Sequence, residues 1–329
     1  MTLEAEDTQG SAPNGKGSTT SSDSSDDGPF YMIGELPSSI VTIPDLKPLE
    51  NLTEKEYTSG RTPRFGKANP EIIDVPFWSA MMAAQLDPYT AYEVLQKSSK
   101  LPHYNNTDDF LKPVTRNNNN NKKSDPRRAT WTFAARIGRT ITELPDGRLV
   151  LIGGEHEDHY DPDFHVYNDV CVYDKNSGGS TSSSSSSSGG DGGGRSPFVL
   201  YGYPRTVFPP TDFHTATLVE GKGTPNIYII GCMGYNYQQR SGETPVYRLD
   251  TRDFSMHAVK TSGEKPGWIS SHDACLSEDG TAIRVWGEKN AEYDEPVVYV
   301  KDGQKQGKVV DFEGEYLLHL ATGRWTKLS

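Results

Sequence analysis

A chain of 329 residues has room for one large domain or two small ones, yet only 33% of it is hydrophobic. The net charge of −12 leaves no broad basic face to neutralise phosphates, which argues against DNA, RNA or an anionic membrane as partner. No apolar run reaches transmembrane length, and the N-terminus lacks the basic and apolar regions of a signal peptide, so the cytoplasm is the expected location, with the nucleus as the alternative.

In chain order, residues 1–29 are so poor in apolar side chains that burial cannot offset the entropy of ordering them, and a disordered tail is expected. Residues 30–128 come next. Their first part (IGELPSSIVTIPDLKPL) is broken by prolines and reads as an extended segment. Pro76–Leu86 is a good helix former with a wide apolar face. Asp87-Pro88 then reads as an N-cap with proline at the first helical position, and Tyr89, Tyr92 and Leu95 share one side. A short helical hairpin follows from this, serving as a cap on the next domain. The run Asn117–Asn121 and the basic stretches at 112–128 read as a solvated, disordered linker.

From residue 129 the pattern changes to strands. PDG at 145–147 separates Ile141–Leu144 from Arg148–Ile152. EGKGTPN at 220–226 and SEDGT at 277–281 do the same for Thr215–Val219 with Ile227–Ile230 and for Ala274–Leu276 with Ala282–Trp286. The glycines that end the second strands are Gly153, Gly231 and Gly287, at intervals of 78 and 56 residues. The first interval contains the Ser/Gly tract at 176–196, a flexible insertion; without it the interval is 57. Polar pairs precede each hairpin (Arg139-Thr140, His214-Thr215, His272-Asp273), and third strands follow at 168–174, 245–250 and 315–320. Fourth strands carry Phe254 and Trp325, and Ala129–Phe133 with Trp131 reads as the last strand of a preceding, incomplete unit. The two equivalent histidines, His214 and His272, suit a repeated structural hydrogen bond. A four-stranded unit cannot bury both faces alone and must stack on copies of itself.

Arg136 to Asp174, with RIGRTITELPDGRLVLIGG and YNDVCVYD, resembles the Kelch repeat family, and 213–260 and 270–328 follow it in phase. Gly231-Cys232 and Trp286-Gly287-Glu288 stand where that family has its glycine doublet. The resemblance implies a mainly β fold built of Kelch-like β-propeller blades over 129–329. With about three blades the ring would be partial, closed by the N-terminal segment or completed by another chain, and an incomplete ring would favour self-association. The family mostly binds other proteins through loops between the second and third strands and between blades. A protein-binding scaffold or adaptor is therefore expected, and no cofactor is called for. The alternative is a propeller enzyme, or a carbohydrate or small-ligand binder, with its site in the central depression and with or without metal assistance.

Contact candidates are Tyr235, Tyr237 and Arg240 on the second unit's loop, and Arg205, Phe208 and Trp268 on proline-rich segments between units. A self-packed loop is the equal alternative for Tyr235, Tyr237 and Arg240, and packing against the neighbouring unit is the plainer role for Trp268. Residues 155–165 pack three histidines among carboxylates, so His156, His159, Asp163 and His165 are candidate metal ligands, although their spacing matches no established metal motif. A solvated acidic loop or a patch for basic ligands is the competing reading. Neither a nucleophile elbow nor a phosphate-binding glycine loop is present. Cys171, Cys232 and Cys275 lie in apolar strand-like stretches without paired spacing, so all three read as small buried residues outside any disulfide framework.

Overall fold

Short apolar runs between turn residues become strands, and the chain is mainly β. The computed structural model describes residues 44–97, 130–156, 164–177, 196–221, 223–235, 242–287, 298–301, 304–308 and 314–328. The chain divides into Met1–Phe30 and Tyr31–Ser329, and all the described residues belong to the second unit. The tail at 1–29, the linker beyond residue 97 and most of the Ser/Gly tract lie outside the described residues. Among the described residues, no helix is long and apolar enough to cross a membrane.

Four short helices come first: α1 (Lys47–Glu50), α2 (Glu54–Gly60), α3 (Pro76–Ala84) and α4 (Pro88–Lys97), with β1 (Glu71–Ile72) between α2 and α3. The last two stand where two short helices were expected, each packing on α1, and Asp87 Oδ1 accepts from the Thr90 N–H at 3.0 Å, as an N-cap should. The first two replace part of the segment read as extended. Thr53 and Glu56 form a reciprocal capping box that starts α2.

The first sheet joins β2 (Thr140–Glu143), β3 (Leu149–Ile152), β6 (Val170–Tyr173) and β7 (Phe198–Gly202), with β1 on its outer edge and a ribbon, β4 (Glu155–His156) and β5 (His165–Val166), in its long connection. The second joins β8 (Thr215–Val219), β9 (Asn226–Ile230), β10 (Val246–Asp250) and β11 (Met256–Ala258). The third joins β12 (Ser262–Gly263), β13 (Asp273–Leu276), β14 (Ala282–Gly287), β17 (Gly314–His319) and β18 (Arg324–Lys327), with a ribbon of β15 (Val298–Lys301) and β16 (Gln304–Lys308). In each sheet four consecutive antiparallel strands pair in sequence order, apart from the ribbons. The first strand of the second sheet, β8, packs beside both β2 and β13.

Three apolar layers hold this stack. Tyr57, Phe77, Trp78, Met81 and Met82 of the helices cover one face of the first sheet at Leu151, Cys171, Tyr173 and Leu200. Its other face, Val150, Ile152, Val170 and Val172, packs on Ile227, Ile229 and Leu249 of the second. Ile230 and Val246 of the second meet Ile283, Val285, Leu318 and Trp325 of the third. Trp131 does not lie in a strand as expected. Its ring stacks on Trp78 with centroids 4.9 Å apart and planes 8° from parallel, so 130–136 belongs to the helical layer. Cys171 and Cys232 are buried as expected, whereas Cys275 is exposed.

Candidate functional site

An antiparallel unit of four strands sends its hairpin to one end and its second-to-third connection to the other. The described parts of the second-to-third connections, 153–156, 164–169, 231–235 and 242–245, and the inter-sheet segments 203–214 and 259–272 therefore share one end of the stack. Backbone bonds repeat there from sheet to sheet. The Phe213 N–H donates to the Gly138 carbonyl and the Ser271 N–H to the Phe213 carbonyl, each at 2.8 Å. Likewise the Gly154 N–H donates to Thr211 and the Cys232 N–H to Ile269, at 2.9 and 3.0 Å. Gly231, at φ +78°, lies so close to the Ile269 carbonyl that a Cβ would stand 2.5 Å from it.

The histidines join the same ladder. His214 Nε2 hydrogen-bonds Thr140 Oγ1 at 2.8 Å, and His272 Nε2 bonds Thr215 Oγ1 at 3.0 Å. Each ties the start of one sheet's first strand to the start of the previous one. Burial pushes both imidazoles down to about 3, so they stay neutral.

Beneath the first connection lies a buried ion pair. Arg136 grips Asp169 with both terminal nitrogens, at 2.5 and 3.0 Å, and its Nε donates to the Thr132 carbonyl at 2.9 Å. Its guanidinium stands 3.6 Å from the Tyr167 ring centroid, and Trp131 Nε1 donates to Asp169 Oδ2 at 3.2 Å. Both side chains are over 90% buried, so the hydrogen bonds offset the loss of water. The pair bolts 130–136 to the residue before β6. No sequence spacing marks Arg136 and Asp169 as partners, and sequence reasoning passed over both.

The candidates divide by burial. Phe208 is fully buried, its ring edge-on to Tyr203 and Tyr247, because it fills the space between the first two sheets. Tyr235 is 6% exposed; its hydroxyl donates to the Val166 carbonyl and accepts from the Val166 N–H. Both residues hold the loop end together instead of facing outward. Arg205 is exposed, with its guanidinium 5.1 Å from the Phe65 ring centroid. Trp268 is partly exposed, and its Nε1 donates to the Cys232 carbonyl at 2.7 Å. Tyr237 and Arg240 lie outside the described residues.

His156 and His165 face each other across the β4–β5 ribbon, each 3% exposed. His165 Nδ1 lies 3.4 Å from the Tyr235 hydroxyl, and burial, helped by the charge of Arg136, pushes its imidazole down to about 3. A neutral, enclosed imidazole of this kind is poorly suited to accepting protons near neutral pH. His159 and Asp163 lie outside the described residues, and among the described residues no three metal-binding side chains converge. Among the described residues, the end presents Phe65, Phe164 and Trp268 partly exposed and Arg205 exposed, alongside the exposed carboxylates of Glu243 and Glu264. Phe65 and Phe164 carry no sequence signal, since they reach the cluster only through the packing of 61–66 and the ribbon.

At the opposite end, a cleft of about 330 Å³ is lined by Asn226, Tyr228, Arg248, Asp250 and Arg252. Asp250 is engaged there by Arg252, which holds its carboxyl down at about 2.

No protein-family model matches the chain, and no curated protein matches it. Among solved structures, it is similar to one described as a novel fungal alcohol oxidase with catalytic diversity among the AA5 family, in complex with copper. The identity is 11% and the TM-score 0.33, over 59% of this chain and 44% of that one. The chain thus spans less than half of that protein, and a likeness this low carries no argument about fold or chemistry.

Proposed function

We propose that the three sheets are Kelch-like blades of an incomplete propeller and that the chain is a protein-binding scaffold, with its loop end as the contact face. The observation that carries this reading is the pairing of a rigid base with outward aromatic rings and an exposed arginine among the described residues. The repeated backbone bonds and the Arg136–Asp169 pair fix the base. Phe65, Phe164 and Trp268 are the rings and Arg205 is the arginine, and such side chains bring large contact area at small entropic cost. In this reading the helical layer occupies the place of a preceding blade. The buried polar groups serve rigidity: burial lowers His165 and raises Tyr167, so neither changes charge near neutral pH.

The test is capture from the native cells on paired baits, one intact and one carrying Arg205→Glu and Trp268→Ala. The reading expects a stoichiometric protein held by the first bait and lost from the second, with the two baits equally folded by circular dichroism. A partner retained equally by both would move the contact face elsewhere. Capture of nothing by the intact bait would favour the small-ligand alternative.

A further inference from the structure

We propose that the outer face of the third sheet is an interface between two copies of this chain. Strand register defines equivalent positions. Val150, Ile152, Val170 and Val172 of the first sheet correspond to Tyr228, Ile230, Val246 and Arg248 of the second and to Arg284, Trp286, Glu315 and Leu317 of the third. In the first sheet all four are buried beneath the second sheet, and in the second Ile230 and Val246 are buried beneath the third. In the third sheet the same surface is open: Asp273, Cys275 and Arg284 are exposed, and Trp286 and Leu317 are partly so. Arg284 Nε donates to Glu315 at 2.6 Å while its guanidinium lies 5.1 Å from the Trp286 ring centroid. The face thus carries an indole, a leucine and an ordered ion pair.

A second copy fits this face for three reasons. First, the helices α1–α4 cover the free face of the first sheet, so one copy's third sheet cannot stack on another's first sheet, and third sheet against third sheet is the pairing that buries the same face in both copies. That pairing is two-fold and closes on itself. Second, the face carries both signs, Asp273 and Glu315 beside Arg284 and Arg324, so a two-fold turn can set one copy's acids against the other's arginines. Third, the size fits a weak, reversible dimer. The strands of this sheet run from two to six residues, and at about 3.3 Å per residue and about 4.8 Å between strands they give roughly 350 Å² in plan per copy before side-chain relief. This is below the about 800 Å² of accessible surface per partner of standard interfaces, as for transient association.

The experiment is sedimentation of the full chain from about 1 to 100 µM, the range in which a modest interface dissociates. The expected result is a reversible dimer, weakened at least about tenfold by Arg284→Glu or by Leu317→Lys. Circular dichroism identifies whichever variant remains folded. Cys275 is the one exposed cysteine of the three, so a flexible bis-maleimide should link two wild-type chains. Cys275→Ser should lose the link and keep the dimer. A monomer at 100 µM would overturn the proposal, as would a dimer indifferent to both charge variants and not linked through Cys275. Neither outcome bears on the loop end, which lies on a different surface.

Discussion

Arg136 anchors the loop end from a single buried position, and its partner Asp169 immediately precedes β6. Asp169→Ala should cost about 3–5 kcal/mol, because the guanidinium would be left buried with its charge uncompensated. The double variant Arg136→Met, Asp169→Leu should cost less than Asp169→Ala alone, and urea denaturation distinguishes the two. Three of the four imidazoles buried among the described residues, His165, His214 and His272, make a separate prediction. An unfolded histidine takes up a proton near 6.5, whereas His165, His214 and His272 stay neutral down to about 3. Their contribution is therefore complete above about pH 7 and declines as the pH falls from about 6.5 towards 3, by up to about 1.4 kcal/mol per pH unit for each. Denaturation midpoints measured from pH 7 to 4 should fall, and His214→Gln should flatten the slope. Sequence alone suggested that His214 and His272 shared one hydrogen-bonding role, because they recur at one position. It could not separate Tyr235 and Phe208 from Arg205, since a tyrosine or phenylalanine in a loop has the same composition whether it faces solvent or a neighbouring sheet.

At the scale of elements, the hairpins were plain in the sequence: PDG, EGKGTPN and SEDGT each fall between paired strands. The recurrence of Gly153, Gly231 and Gly287 after the second strands also has a structural cause at two of the three positions. Gly153 and Gly231 take positive φ and pass close to the carbonyls of Thr211 and Ile269. Gly231→Ala should therefore destabilise by about 2 kcal/mol or more, read as a lower melting temperature, because a β-carbon there meets both strain and a backbone oxygen. Helices α1 and α2 were less legible. The Thr53–Glu56 box was a usable signal, but the prolines around it pointed to extended chain. The edge strand β1 is two residues long and leaves almost no periodicity. Trp131 was assigned to a strand because an aromatic ends the other units, while its stacking on Trp78 depends on a helix over 50 residues away.

For the whole molecule, the order of layers follows from which faces are apolar: helices, first sheet, second sheet, third sheet. The Ser/Gly insertion interrupts this order without altering it, since the Asp174 N–H donates to the Pro197 carbonyl at 2.8 Å and brings the two ends of the insertion together. Deleting residues 178–195 should leave the fold intact and raise stability by about 1 kcal/mol through a shorter loop. Equal stability or a small gain in urea denaturation would agree; a loss of cooperativity would show that the insertion contributes contacts.

Hydrogen–deuterium exchange of the chain with and without its captured partner tests whether the loop end is the contact face. Slower exchange confined to 203–213 and 263–272, with 61–66, is the predicted result. Protection centred instead on the hairpin end, at 220–225 and 250–255, would contradict it.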